Sequence, residues 1–199
     1  TVSAADAFKK LEPDKRFLMI SRASYIGMHR YSGIWTGDNS SWWAHIELLM
    51  HQLPNINMCG FLYTGADTGG FNQNTTEDHM MRFMELSLFT PLMRNHAALG
   101  TRDQELYRFK DIDSFRNIVN LRYGFIPYLY SEYLKAVKNN TLMFTPMGIA
   151  FPEDKTARHI EDQLMVGDSI MIAPVYKQNA VGRYVYLPED MTMIRFRSL

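Results

Sequence analysis

The sequence predicts an α/β chain that passes into antiparallel β structure. Three observations carry this. Short apolar runs alternate with segments of helical spacing up to about Met147. Polar and charged residues gather where each of those runs stops. Beyond Met147, β-type runs follow one another with short turns and no long helix between them. Alternation of the first kind marks βα units, and the later pattern marks an antiparallel sheet.

The elements follow in order. Phe17-Leu18-Met19-Ile20-Ser21 is a short apolar run, expected as a buried strand that delivers Arg22 at its end. Ser40 or Ser41 can cap a helix whose positions Trp43, Ile46, Leu49, Met50 and Leu53 have helical spacing, with Pro54-Asn55 as its end. Met58 to Thr64 reads as a second buried strand, opening into the glycine-rich Gly65-Ala66-Asp67-Thr68-Gly69-Gly70-Phe71. Thr75-Thr76-Glu77-Asp78 resembles a capping box and starts a helix with Met80, Met81, Met84 and Leu88 on one face. Those methionines read as helix packing rather than a functional Met surface. Leu88 to Met93 is expected as a third strand, leading to Arg94-Asn95-His96. After a polar loop, Ser114 can cap a long helix with Ile118, Arg122, Phe125, Ile126, Leu129, Tyr133 and Val137 along one side and a kink at Pro127. Ser169 to Val175 and Tyr184 to Pro188 are expected strands.

Composition narrows the function classes. Lys+Arg and Asp+Glu both number 21 in 199 residues, so no basic excess points to nucleic acid or to a membrane surface. No apolar run approaches the roughly 20 residues needed to span a bilayer. Thr1 to Asp6 has neither a basic nor an apolar leader segment, so no signal peptide is expected there. The single cysteine, Cys59, excludes an internal disulfide and suits a reducing cytoplasm. The six histidines form no metal-ligand spacing with carboxylates, so no metal and no cofactor is expected.

One stretch organises the rest: Ser32-Gly33-Ile34-Trp35-Thr36-Gly37-Asp38-Asn39. It sets one carboxylate at a strand end, between turn formers and behind an aromatic ring. Burial against such a ring favours the protonated acid, which makes Asp38 a candidate proton donor. The same residues can equally form a turn that caps the next helix. With Arg22, Asp67, Arg94 and His96 also at strand ends, the pattern is that of a (β/α)8 barrel, whose active sites lie at the C-terminal ends of the strands. About 150 residues supply only half of such a barrel, which usually needs about 250. Each residue also has a structural reading. Arg22 can be an ion-pair partner of Asp67, His96 a satisfied core histidine, and Trp35 and Phe71 ordinary core.

Five motifs lie in an order that resembles glycoside hydrolase family 31. They are Ser21-Arg22-Ala23-Ser24, Ile34-Trp35-Thr36-Gly37-Asp38-Asn39, Gly65-Ala66-Asp67-Thr68-Gly69-Gly70-Phe71, Pro91-Leu92-Met93-Arg94-Asn95-His96 and Leu121-Arg122-Tyr123-Gly124-Phe125-Ile126-Pro127-Tyr128. Gly167 to Val175 is similar to the start of that family's β-sandwich. Each motif alone is weak; five in order are specific. The resemblance implies a C-terminal half barrel over 1–147 and the incomplete start of an antiparallel β-sandwich over 148–199. It implies a retaining α-glycosidase, such as an α-glucosidase or α-xylosidase, acting on α-linked oligosaccharides.

By the same resemblance Asp38 matches the catalytic acid/base. Arg22, Trp35, Asp67, Phe71 and His96 match residues lining the sugar pocket, and Arg94 a supporting position. The family's nucleophile is an aspartate in a motif resembling Trp-x-Asp-Met-Asn-Glu, which this sequence lacks. The nucleophile and the first half of the barrel are therefore expected outside these residues. A retaining glycosidase needs two carboxyl groups about 5–5.5 Å apart, so a non-catalytic sugar-binding fragment and a structural half barrel stay open beside the enzyme. A half barrel also implies a protein partner, either a second copy of the chain or the N-terminal half.

Overall fold

The structure is a computed structural model that describes residues 1–193. Residues 194–199, the tail of the 148–199 segment, lie outside the described residues. The chain begins with α1, Val2–Leu11, of which only Ala5 is buried. Phe8 of α1 stacks on Phe17 with ring centroids 5.2 Å apart.

The parallel part consists of β1 (Ile20–Ser21), β2 (Gly33–Trp35) and β3 (Thr64–Gly65), in that order, and a second pair, β4 (Asp67–Thr68) with β5 (Arg94–Asn95). Gly33 faces Ile20, Ile34 faces Thr64, and Asp67 faces Arg94. Leu92 N–H donates to Thr64 O at 3.2 Å, so the approach to β5 already runs beside β3. This is the C-terminal part of a (β/α)8 barrel, followed by an antiparallel sheet.

The regular strands are shorter than the apolar runs. Of Phe17 to Ser21 only Ile20 and Ser21 pair, and Leu18 and Ile20 are 60% and 38% exposed. The expected burial fails because β1 has β2 on one side and no strand on the other among the described residues. Of the run Met58 to Thr64 only its last residue, Thr64, lies in a strand, β3. The run's first residue closes a helix, and Gly60, at φ +87°, turns the chain back toward β3. Leu88 to Met93 is irregular, held by Thr90 Oγ1, which donates to Ser87 O and Leu92 O at 2.8 and 2.7 Å.

The helices follow the apolar spacing and differ at their ends. In α2, Trp43–Met58, the residues Ile46, Leu49, Met50 and Leu53 are buried as expected. The helix does not stop at Pro54. It continues for a further turn, with Pro54 itself buried, because the ring packs inside while the chain beyond it stays tied to the fold. Neither Ser40 nor Ser41 caps α2; Trp42 is the capping residue, and Ser41 Oγ bonds elsewhere. In α3, Glu77–Ser87, Thr76 does cap, accepting from His79 N–H at 3.3 Å. Met80 and Met84 are buried, packing against Phe115 and Ile118. In α4, Ile112–Asn139, the cap is Asp111 rather than Ser114: its side chain accepts from Ser114 N–H at 3.1 Å. One helix runs through Pro127, and Ile126 and Val137 face outward while Phe115, Ile118, Leu129 and Ala136 are buried.

After the short α5, Met147–Ala150, comes the second half of an antiparallel sheet begun by β6 (Phe144–Pro146) and completed by β7 (Leu164–Val166) and β8 (Ile170–Ile172). Tyr184 to Pro188 forms no strand. The amide of Gln163 takes the place of a neighbouring strand, accepting from Tyr186 N–H at 2.7 Å and donating to Tyr186 O at 2.8 Å.

A single core joins the two parts. Ile46, Leu53, Phe83 and Leu86 of the barrel helices pack with Leu129, Met143, Phe144, Leu164, Val166 and Ile172. Burying each such side chain contributes about 1.5–3 kcal/mol. Asn57, at the end of α2, ties the joint: its Nδ2 donates to Phe61 O, and its Oδ1 accepts from Met143 and Phe144 N–H.

Candidate active site

Because β1 to β5 run parallel, the residue after each strand lies at the same end of the sheet. Arg22 follows β1; Thr36, Gly37 and Asp38 follow β2; Phe71 follows β4; His96 follows β5. Trp35, Asp67 and Arg94 lie inside the strands themselves. These are the carboxyl ends, where a barrel places its chemistry.

Two layers result. In the outer layer Arg22 Nη2 lies 3.5 Å from Asp38 Oδ2, with 61% and 39% of the two side chains exposed. At that distance and exposure the pair adds little stability, so its arrangement is available for chemistry. Arg22 therefore partners Asp38, and Asp67 has another cation. The ring expected to bury Asp38 does not cover it within these residues. His96 is exposed and lies beside half-buried Phe71, ring centroids 5.1 Å apart and tilted by 34°, so it is no core histidine.

In the inner layer Asp67 is completely buried and ion-paired to Arg94. The Arg94 guanidinium also lies over the Trp35 ring, 5.3 Å from its centroid. Burial pushes the Asp67 carboxyl up; the Arg94 hydrogen bond and charge and the His96 charge pull it down, and Asp38 pushes it up again. The two layers are thus within electrostatic reach of each other. Asp67 Oδ2, Arg94 Nε and Trp35 Nε1 are buried without a hydrogen-bond partner among the described residues. Buried polar atoms are normally satisfied, and leaving one unpaired costs about 1–3 kcal/mol.

The two loops that carry these residues are locked together. Gly70, at φ +91°, packs so closely on Ser40 and Ser41 that a Cβ would come within 2.4 Å of Ser41 N. Ser41 Oγ donates to Gly69 O at 2.8 Å, and Ser40 pairs with Asn72 in a parallel bridge. Asn39 adds bonds from Nδ2 to Asp67 O at 2.9 Å and from Phe71 N–H to its Oδ1 at 3.1 Å. On the far side Gln104, buried, donates to Asn95 Oδ1 at 2.9 Å and Gly70 O at 3.2 Å. Gln104 lies in a polar loop of the sequence and Asn39 in the turn motif beside Asp38; neither spacing nor periodicity signals such a role. A recess of about 860 Å³ lies at the opposite end, lined by Met19, Gly33, Tyr63, Tyr133 and Leu142, away from these groups.

The chain is similar to known proteins in sequence and in fold. The profile of the glycosyl hydrolases family 31 TIM-barrel domain matches residues 1–132, and that of the family 31 C-terminal domain matches residues 140–198. Alpha-glucosidase 2 of Bacillus thermoamyloliquefaciens is 33% identical over 183 residues, covering 91% of this chain and 23% of its own length. The lysosomal alpha-glucosidase of Bos taurus is 37% identical over 179 residues, covering 87% of this chain and 19% of its own. The solved structure of a Flavobacterium johnsoniae GH31 dextranase complexed with glucose superposes with a TM-score of 0.85 at 27% identity, covering 93% of this chain and 24% of its own. The chain thus spans about a fifth of the length of the curated relatives it matches. On the strength of both profiles and of the strand-end residues they enclose, this chain belongs to glycoside hydrolase family 31.

Proposed function

We propose that these residues are the C-terminal part of the catalytic barrel, 1–147, and the start of the following β-sandwich, 148–199, of a longer retaining α-glycosidase. The complete enzyme hydrolyses terminal α-linked glucose from oligosaccharides by double displacement, without a cofactor. The single observation carrying this reading is the exposed Asp38 carboxylate beside Arg22 at the strand ends. Asp38 gives its proton to the leaving oxygen and then takes one from the attacking water. Arg22, with its fork of donors, and His96 hold sugar hydroxyls. Trp35 and Phe71 pack on the apolar face of the ring. Asp67, with one unpartnered oxygen, reaches a hydroxyl of the same sugar, and Arg94 holds it in place. The α-glucosidase names of the bacterial and bovine relatives support glucose as the sugar.

The nucleophile comes from the N-terminal half of the barrel. Asp67 is a poor substitute, since Arg94 already engages it. The uncovered β1 edge, with Leu18 and Ile20 exposed, supports a further strand on that side, since unpaired apolar edges call for pairing. A reducing compartment such as the cytoplasm fits the lone exposed Cys59, although family membership assigns none, the bovine relative being named lysosomal.

The test is Asp38→Ala in the complete enzyme. General acid catalysis contributes about 10²–10⁴-fold. Hydrolysis of an α-linked disaccharide should fall by that factor. In kcat/KM, which reports the first displacement, an aryl α-glucoside, whose leaving group needs no proton, should lose much less. Undiminished disaccharide hydrolysis would refute the assignment.

A further inference from the structure

We infer that Asn39 is a positioning residue that aims the Asp38 carboxyl, a role that rests on Asp38 being the acid/base. Asp38 is the centre of a three-residue turn, Asn39 N–H donating to Gly37 O at 3.0 Å, and Gly37 enters that turn at φ +84°. The only ion pair of the Asp38 side chain among the described residues is the loose one to Arg22. Its direction is therefore set by backbone on either side of it rather than by packing. On one side the backbone is held by the Gly37 conformation. On the other side it is held by Asn39, and the hold is dense. Asn39 O accepts from Phe71 N–H at 3.0 Å and from Asn72 N–H at 2.9 Å. The side chain adds Nδ2 to Asp67 O and Phe71 N–H to Oδ1.

A donor and an acceptor partner together fix which way the amide points. Only a short side chain with both functions spans from the Asp38 turn to Asp67 O and Phe71 N at once. Both of its polar atoms are engaged with main chain, so it serves the loops rather than a ligand. The link has a functional consequence: Asp38, Asp67 and Phe71 are moved as one unit. A displacement of about 1 Å in a reacting group is worth up to about 10²-fold in rate.

The experiment compares parent, Asn39→Ala and Asn39→Asp in the complete enzyme, on an α-linked disaccharide and on p-nitrophenyl α-glucoside. For Asn39→Ala, kcat/KM on the disaccharide, which reports the first displacement, should fall roughly 10- to 100-fold, while kcat/KM on the aryl glucoside changes by less than about threefold; kcat falls on both where the second, water-activating step limits turnover. That split singles out proton donation. A loosened pocket would lower kcat/KM on both substrates alike and raise both KM values. Asn39→Asp keeps the acceptor and the volume but sets a carboxylate oxygen against Asp67 O in place of the donor, so it should show the same split with a disaccharide loss at least as large. It also decides the matter if Asn39→Ala does not fold. Equal losses in kcat/KM on both substrates, or none, would overturn the positioning role. Asp38→Ala run alongside separates the two levels: if it shows no such split, the acid/base assignment falls and the role of Asn39 falls with it.

Discussion

Asn57→Ala tests whether the barrel and the antiparallel sheet are one cooperative unit. Asn57 is 3% exposed. Its amide donates to Phe61 O at 3.0 Å and accepts from Met143 N–H at 3.1 Å and Phe144 N–H at 2.9 Å. Met143 and Phe144 are themselves 1% and 0% exposed, so water does not replace the lost acceptor. Each buried main-chain group left unpaired costs about 1–3 kcal/mol. Two orphaned N–H groups and one carbonyl therefore amount to about 3–5 kcal/mol after modest relaxation. A complete multidomain enzyme does not unfold in two states, so the assay is amide hydrogen exchange followed by mass spectrometry on peptides covering residues 141–146. At about 1.4 kcal/mol per tenfold, exchange there should accelerate by at least roughly a hundredfold. Asn57→Leu separates the causes, since it fills the volume and still removes the bonds; it should behave like Asn57→Ala. Acceleration below about fivefold in either variant would refute the reasoning, meaning that the sheet docks on the core contacts alone.

His79 should make stability fall in mild acid. It is 2% exposed, bonded through Nδ1 to Thr75 Oγ1 at 2.9 Å and packed edge-on against Trp43 and Phe83. Burial, its largest influence, lowers its pKa below the ordinary 6.5. The unfolded chain then takes up a proton that the folded chain refuses. The contribution is intact above about pH 6.5 and is lost as pH falls toward the folded value, with a slope of at most about 1.4 kcal/mol per pH unit. The drop in thermal midpoint between pH 7.5 and pH 5.5 should shrink in His79→Gln; an unchanged drop would assign the loss to other groups. The 199-residue chain on its own should not hydrolyse an aryl α-glucoside, and light scattering should report a mass above that of a monomer, driven by the exposed Leu18 and Ile20 edge. Turnover by a monomer would contradict both expectations.

Several features of this protein were legible in the chain alone, because they depend on local chemistry. The faces of α2 and α3 follow from spacing: Ile46, Leu49, Met50 and Leu53, then Met80 and Met84, are buried where a 3.6-residue period puts them. The Thr76 cap follows from a side chain that reaches its own helix. The gathering of Arg22, Asp38, Phe71 and His96 at one end follows once the strands are parallel, since each lies just past a strand. Other features were decided only by tertiary structure. An apolar run as short as Met58 to Tyr63 serves a helix end, a turn or a strand equally well, and contacts elsewhere choose among them. Pro54 stays inside α2 because its ring finds a buried place, which no local rule anticipates. Gln163 replaces a strand for Tyr186 through bonds across the chain. The pairing of charges, Arg22 with Asp38 and Arg94 with Asp67, is likewise a matter of distance in space. Coulomb interactions fall with separation and strengthen with burial, so partners of equal charge in the sequence become unequal once the fold has set both.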